Sequence, residues 1–176
     1  MAESARLTRA DMQRLFELLE RELASSDTVG EVYLVGGAVM CLAFGARDAT
    51  RDLDALFEPT ARVREAAARV ATKVRVPATW LKDAVKGYLS PRGEFDPWFE
   101  GPHLRVYTAQ PAYLLAMKCM AMRLGAEFHD LDDVRFLLRW LNITTVQEAM
   151  DIVTRYFEAA QVPVKSQLAL EELLGG

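Results

Sequence analysis

The sequence predicts a mixed α/β fold, a short sheet with helices followed by a helical C-terminal part. Three observations predict it. Brief apolar runs rich in β-branched or aromatic residues, at 31–35, 51–57 and 104–108, alternate with stretches of helical pattern. A glycine pair separates the first run from a helix. From Pro111 onward the pattern is helical throughout. The expected division is an α/β core over residues 1–110 and a helical part over 111–176 packed on it.

Each element has a local reason. Residues 8–24 place Met12, Leu15, Phe16, Leu19 and Leu23 on one stripe, and Thr8 with Asp11 resembles a capping box. Turn formers at 25–30 break the helix, and 31–35 is a short buried strand ending at Gly36-Gly37. A helix over 38–46 and a loop over 45–50 lead to the strand 51–57, which Pro59 ends. Alanine and arginine favour a helix over 60–74 with Thr60 as its N-cap. A short helix is expected over 80–85, closed by Gly87, then an ordered loop over 88–102 rich in proline, glycine and aromatics. After the strand 104–108, helices are expected at 111–124, 129–141, 144–160 and 164–174. Pro111 suits a first helical turn, where a missing N–H costs nothing, and Leu168, Leu170, Leu173 and Leu174 suggest a packing stripe.

Composition sets the bounds. The chain has 176 residues, about half apolar, enough for one domain or one core with a helical appendage. No apolar run approaches the ~20 residues of a membrane span, so no membrane partner is expected. The first residues lack the apolar stretch of a secretory signal, and a cytosolic (cytoplasmic) protein is expected. Cys41 and Cys119 have apolar neighbours and no metal-ligand spacing, which suits small core residues. A net charge of −4 gives no basic field for nucleic acid. The cluster Arg62, Arg64, Arg69, Lys73 and Arg75 is either a local basic face or a solvated helix surface.

Two motifs carry chemistry. A strand that stops at Gly36-Gly37 and opens into a helix leaves backbone N–H groups at the helix start, suited to phosphate oxygens. Read alone, the glycines also fit a plain tight turn. Asp52-Leu53-Asp54 adds a second element, because side chains two apart in a strand share a face. Two adjacent carboxylates repel unless a cation neutralises them, and magnesium accepts such a pair together with phosphates and water. The bland alternative is a pair of solvated aspartates, matched by Arg47 or Arg51.

Gly36-Gly37, a helix, then Asp52-Leu53-Asp54 resembles the signature of the polymerase β-type nucleotidyltransferase superfamily, in particular its small stand-alone bacterial members. Residues 80–87 are similar to a family of such proteins of unknown function. Residues 117–123 and 129–133 resemble the lysine and aspartate motifs of the abortive-infection nucleotidyltransferase toxins, relating roughly residues 30–140 to the superfamily. The resemblance implies a short mixed sheet, with Asp52 and Asp54 as magnesium ligands and catalytic residues. It implies Lys118 as a triphosphate contact and either Asp130 or Asp133 as the aspartate completing the site, with Gly36, Gly37, Arg51, Lys118 and Asp130 on the nucleotide. The residues agree at Lys118, since a lysine among Leu115, Ala116, Met117 and Met120 needs a carboxylate or phosphate unless it snorkels at the core rim.

The expected activity is magnesium-dependent transfer of a nucleoside monophosphate from a nucleoside triphosphate to a hydroxyl. The resemblance implies an acceptor at a tRNA 3′ end or on a protein, and a toxin paired with an antitoxin. Two features depart from the pattern. The strand 104–108 has no third carboxylate, and Gly37 stands where many members have serine. A base would then be Asp54, Asp130, Asp133 or water. A catalytically inactive nucleotide-binding or partner-docking module is the alternative, and aminoglycoside nucleotidylation is a third reading that the scarcity of spare carboxylates disfavours. Trp80, Trp98 and Trp140 offer base-stacking surfaces but more commonly pack in cores or loops, and Trp80 with Asp83 and Lys86 forms a further cluster.

Overall fold

The computed structural model describes residues 6–83, 89–125 and 130–175. It is a mixed α/β structure of two compact units, Met1–Ala84 with Phe95–Thr108, and Val85–Glu94 with Ala109–Gly176. Among the described residues no helix is long and apolar enough to cross a membrane.

The first unit opens with β1 (Leu7–Thr8) and α1 (Arg9–Ser25). Thr8 caps α1: its Oγ1 accepts from Asp11 N–H while its own N–H donates to Asp11 Oδ2 at 2.9 Å, a reciprocal capping box. The expected stripe of Met12, Leu15, Phe16, Leu19 and Leu23 is the buried face. Next come β2 (Gly30–Val35), α2 (Gly37–Leu42), β3 (Ala49–Thr50), β4 (Leu53–Glu58), α3 (Thr60–Val74), β5 (Leu81–Asp83), β6 (Phe95–Glu100) and β7 (Leu104–Ala109). The five-stranded sheet runs β5-β4-β2-β7-β6, with β2 antiparallel to β4 and parallel to β7, and β4 parallel to β5.

Strand alternation gives the sheet two faces. Val32, Leu34, Leu53, Ala55, Phe57, Leu104 and Val106 are buried, and α1 and α3 meet the sheet on this side. At Gly30 an added Cβ would stand 3.0 Å from both Leu23 and Val63. The other face is half-exposed and carries Tyr33, Asp54, Leu56 and Tyr107. Tyr33 stacks on Tyr107 with ring centroids 5.0 Å apart.

Several local expectations are corrected here. Residues 81–83 form β5, not part of a helix, because pairing with β4 and the Leu53 N–H bond to Trp80 C=O outweigh local propensity; Val85 and Gly87, from the same expected element, lie outside the described residues. The expected loop 88–102 contains β6. Pro97 is tolerated there because β6 is an edge strand, where a missing N–H is harmless. Thr60 does not cap α3: Pro59 is the N-cap, and Thr60 Oγ1 donates to Phe57 C=O instead. The helix expected over 38–46 stops at Leu42, and the strand expected from 51 begins at Leu53. β1 and β3, paired Leu7 to Thr50 and Thr8 to Ala49, were not expected.

The second unit contains α4 (Pro111–Met120), α5 (Asp130–Trp140), α6 (Val146–Tyr156), a 3-10 turn (Ala159–Gln161) and α7 (Val164–Leu174). Pro111 occupies the first turn of α4, as expected. Thr145 and Glu148 form a second capping box at α6. Buried Ser166 on α7 donates to the Cys119 carbonyl on α4. Cys119 is fully buried, which pushes its thiol up to about 12. Gly93 is fixed by close approach, since a Cβ would stand 2.3 Å from the Tyr113 ring. The leucine stripe of α7 is split: Leu170 is buried and Leu168 faces solvent.

Candidate functional site

The end of β2 and the start of β4 build one site. Gly36 has φ 69° and ψ −145°, a conformation essentially reserved for glycine, and it turns the chain from β2 directly into α2. Pairing sets Val35 opposite Asp54, so the carboxylate arises beside the bend. An added Cβ on Gly36 would lie 3.5 Å from Asp54 Oδ2. At Gly37 the added Cβ would meet Arg47 Nη1 at 2.8 Å and Thr50 Oγ1 at 3.3 Å. The two glycines are required for different reasons, a backbone conformation at Gly36 and a guanidinium laid against the backbone at Gly37.

Asp52 directly precedes β4. Leu53 and Ala55 are buried, so alternation turns Asp52 and Asp54 toward the half-exposed face together. The neighbouring strand contributes Lys82, which pairs in register with Asp54 and reaches Asp52 Oδ2 with its Nζ at 3.0 Å. The Asp52 side chain is 35% exposed and that of Lys82 48%. The hydrogen bond to Asp52 pushes the Lys82 ammonium above the ordinary lysine range, and Asp54 adds to the field. Both carboxylates therefore act on one ammonium. Arg51, expected at the nucleotide, is exposed at the bend before β4.

The donor set suits a hard divalent cation. Two half-exposed carboxylates on one strand face, beside a glycine bend, suit the mixed shell of carboxylate, water and phosphate oxygens that magnesium prefers. Among the described residues no cluster of three or more His, Cys, Asp or Glu offers an all-protein cage. Asp52 and Asp54 would hold a magnesium ion only together with solvent and ligand.

The remaining expected residues gather in the second unit. Lys118 on α4 pairs with both candidates on α5, Asp130 at 3.2 Å and Asp133 at 2.8 Å. The lysine side chain is 11% exposed and each carboxylate 5%. Arg123 closes the network, donating from its backbone N–H and its Nε to Asp130 Oδ2, both at 2.9 Å. Burial pushes the Asp130 carboxyl up, but hydrogen bonds from Arg123 and the charge of Lys118 outweigh it and hold it below the usual range. The requirement for a partner on Lys118 is met inside the chain, by both aspartates at once.

Two cations were not legible in the sequence, and a third has a placement the sequence did not show. Lys82 was hidden in an expected helix; reading 81–83 as a strand would have set it level with Asp54. Arg47, named from the sequence as a match for the aspartates, has its guanidinium at Gly37. Arg123 was not singled out as a partner of Asp130. The tryptophans divide as core and surface. Trp80 is buried, donates from Nε1 to Ala67 C=O at 2.9 Å and meets Phe16 edge-on. Trp98 also packs edge-on against Phe16, and exposed Trp140 stacks on Phe136. Asp83 is paired with Arg64, while Lys86 and His129 lie outside the described residues. The basic cluster on α3 is likewise engaged, Arg69 and Lys73 both bonding Glu22 of α1.

No protein-family model, no curated protein and no solved structure matches this chain.

Proposed function

We propose that the chain is a nucleotidyltransferase that moves a nucleoside monophosphate from a nucleoside triphosphate to a hydroxyl. One observation carries the reading: Asp52 and Asp54 emerge on one face at the mouth of the Gly36-Gly37 bend, Asp54 lying opposite Val35 in the β2–β4 pairing. The bend and the Arg47 guanidinium would receive phosphate oxygens, and Asp52 and Asp54 would hold a divalent cation. Magnesium, when bound, draws charge from the α-phosphate and steadies the leaving pyrophosphate.

In the transfer, the acceptor oxygen forms a bond to the α-phosphorus as the bond to pyrophosphate breaks. Asp54, beside the bend, is the proposed proton acceptor for the attacking hydroxyl. Asp130 and Asp133 are committed to Lys118, and Asp130 also to Arg123. The acceptor class is an RNA 3′ end or a protein hydroxyl, and a toxin held in check by an antitoxin is the setting the sequence resemblance suggests. Incubating the chain with labelled triphosphates, magnesium, total RNA and cell lysate tests the activity. Asp52→Asn should abolish label transfer while leaving circular dichroism and melting unchanged; full transfer by that variant ends the proposal.

A second reading has its own observation. Lys82 already neutralises Asp52, so the pair is stable without metal and the site can serve as a nucleotide-binding module that transfers nothing. Stabilisation by triphosphate with no label transferred to any acceptor would favour it.

A further inference from the structure

The ammonium of Lys82 sits on Asp52, one of the two carboxylates proposed to hold the cation, and level with the other. We infer that Lys82 is a resident counter-ion of Asp52, displaced when a divalent cation loads and handed to the phosphates that arrive with it. The inference rests on the nucleotidyltransferase reading of this site and adds a positioning residue to it.

Geometry supports each part. Lys82 is level with Asp54 across the β4–β5 pairing, and its Nζ is 3.0 Å from Asp52 Oδ2. It occupies the coordination position of that oxygen, and like charges prevent a divalent ion and an ammonium from sharing it. The side chain can leave. About half of it is exposed, its stem is flexible, and β5 is a three-residue edge strand whose buried anchor is Leu81 on the opposite face. A partly exposed pair of this kind holds weakly, so displacement is cheap. Lys82 is level with Asp54, and Asp54 is level with Val35 at the start of the bend, so one strand separates the lysine from Gly36. A triphosphate there gives it a new anion.

This arrangement makes metal loading and phosphate binding mutually dependent. Metal alone must expel Lys82 into water, whereas metal bound to a triphosphate supplies the lysine with a partner. The test uses the full chain and two probes, Mn2+ alone and the preformed complex of Mn2+ with inorganic tripolyphosphate, with affinities read by calorimetry. Lys82→Met should tighten Mn2+ alone by about fivefold, the upper range for an exposed pair, and weaken the tripolyphosphate complex by a similar factor. Opposite movements are not produced by a lysine that merely supports the strand, and Lys82→Arg should restore the wild-type pattern in part. Mn2+ binding that is lost in Asp52→Asn yet unaffected, or weakened, by Lys82→Met overturns this inference alone. Absence of binding of either probe to wild type, Lys82→Met and Asp52→Asn overturns it together with the underlying reading of the site.

Discussion

Lys118→Met tests the buried network of the second unit most directly. Methionine keeps the length and the apolar stem of lysine and removes the charge. The wild-type side chain is 11% exposed and its partners Asp130 and Asp133 5% each. At such burial, deleting one member leaves carboxylate charge that solvent cannot screen, and the cost is about 3–5 kcal/mol. Arg123 remains on Asp130, which places the expected loss toward the lower figure. For a chain of this size each kcal/mol lowers Tm by roughly 2–4 °C, so the drop should be on the order of 10 °C.

Urea unfolding followed by circular dichroism measures the loss, and Asp133→Asn in the Lys118→Met background should recover part of it, since the Asp133 charge is then gone while Asp130 keeps Arg123. The pH dependence has a definite sign. The Asp130 carboxyl lies below its ordinary value, so its stabilisation is present above the unfolded carboxylate range and is lost as pH falls through the folded value. The gap between wild type and variant should therefore be full at neutral pH and narrow below about pH 4. A loss under about 1 kcal/mol, the range of solvated pairs, or a gap independent of pH, would refute the argument.

Gly36→Ala should cost about 1–3 kcal/mol because alanine must adopt a φ near 69°, while Gly37→Ala, which meets only the end of the Arg47 side chain, should cost less; chemical denaturation of the two variants gives the order. Glu22 is held below its ordinary value by hydrogen bonds first from Lys73 and then from Arg69. Glu22→Gln should lower stability by about 1 kcal/mol at neutral pH, discounted for the exposure of both cations, with no difference well below pH 4 in the same assay. Tyr33 donates to Glu31, which pushes the phenol up to about 12. The Tyr33 contribution to stability is complete below pH 10 and lost as pH rises through the folded value. Phenolate absorbance should show one late-titrating tyrosine that moves toward 10 in Glu31→Gln.

What the sequence made legible was local. Thr8 with Asp11, Pro111 in its first turn, the α1 stripe and the bend at Gly36-Gly37 each depend on residues a few positions apart. Propensity and spacing therefore suffice for them. The Asp-x-Asp pair was legible for the same reason, although its first member proved to lie just ahead of the strand. Hidden features depend on pairings distant in sequence. β5 and β6 are strands because β4 and β7 lie alongside them, and Pro97 pointed away from that result. Glu22 meets Arg69 and Lys73 across two helices, and nothing near Glu22 in sequence announces them. Lys82 belongs with Asp52 only once β5 is placed beside β4.

The chain thus holds two constellations of the same composition, a lysine with two aspartates, and their solvation separates their roles. Lys118 sits with Asp130 and Asp133 out of water, so withdrawing it costs several kcal/mol and the network acts as a fixed joint between α4 and α5. Lys82 sits half in water, and releasing it from Asp52 costs about 1 kcal/mol at most. A triphosphate that recruits a lysine must first detach it from whatever it already binds. At about 1.5–3 kcal/mol each, a single hydrogen bond to a phosphate oxygen exceeds the second cost, whereas two or three are needed to match the first. Family resemblance directs attention to Lys118 as the phosphate contact. For a triphosphate at the Gly36 bend the energetics would favour Lys82 as the contact, and exchanging the two substitutions in a triphosphate-binding assay separates the alternatives: Lys82→Met should weaken binding of the metal complex in a chain of native stability, and Lys118→Met should destabilise the chain first.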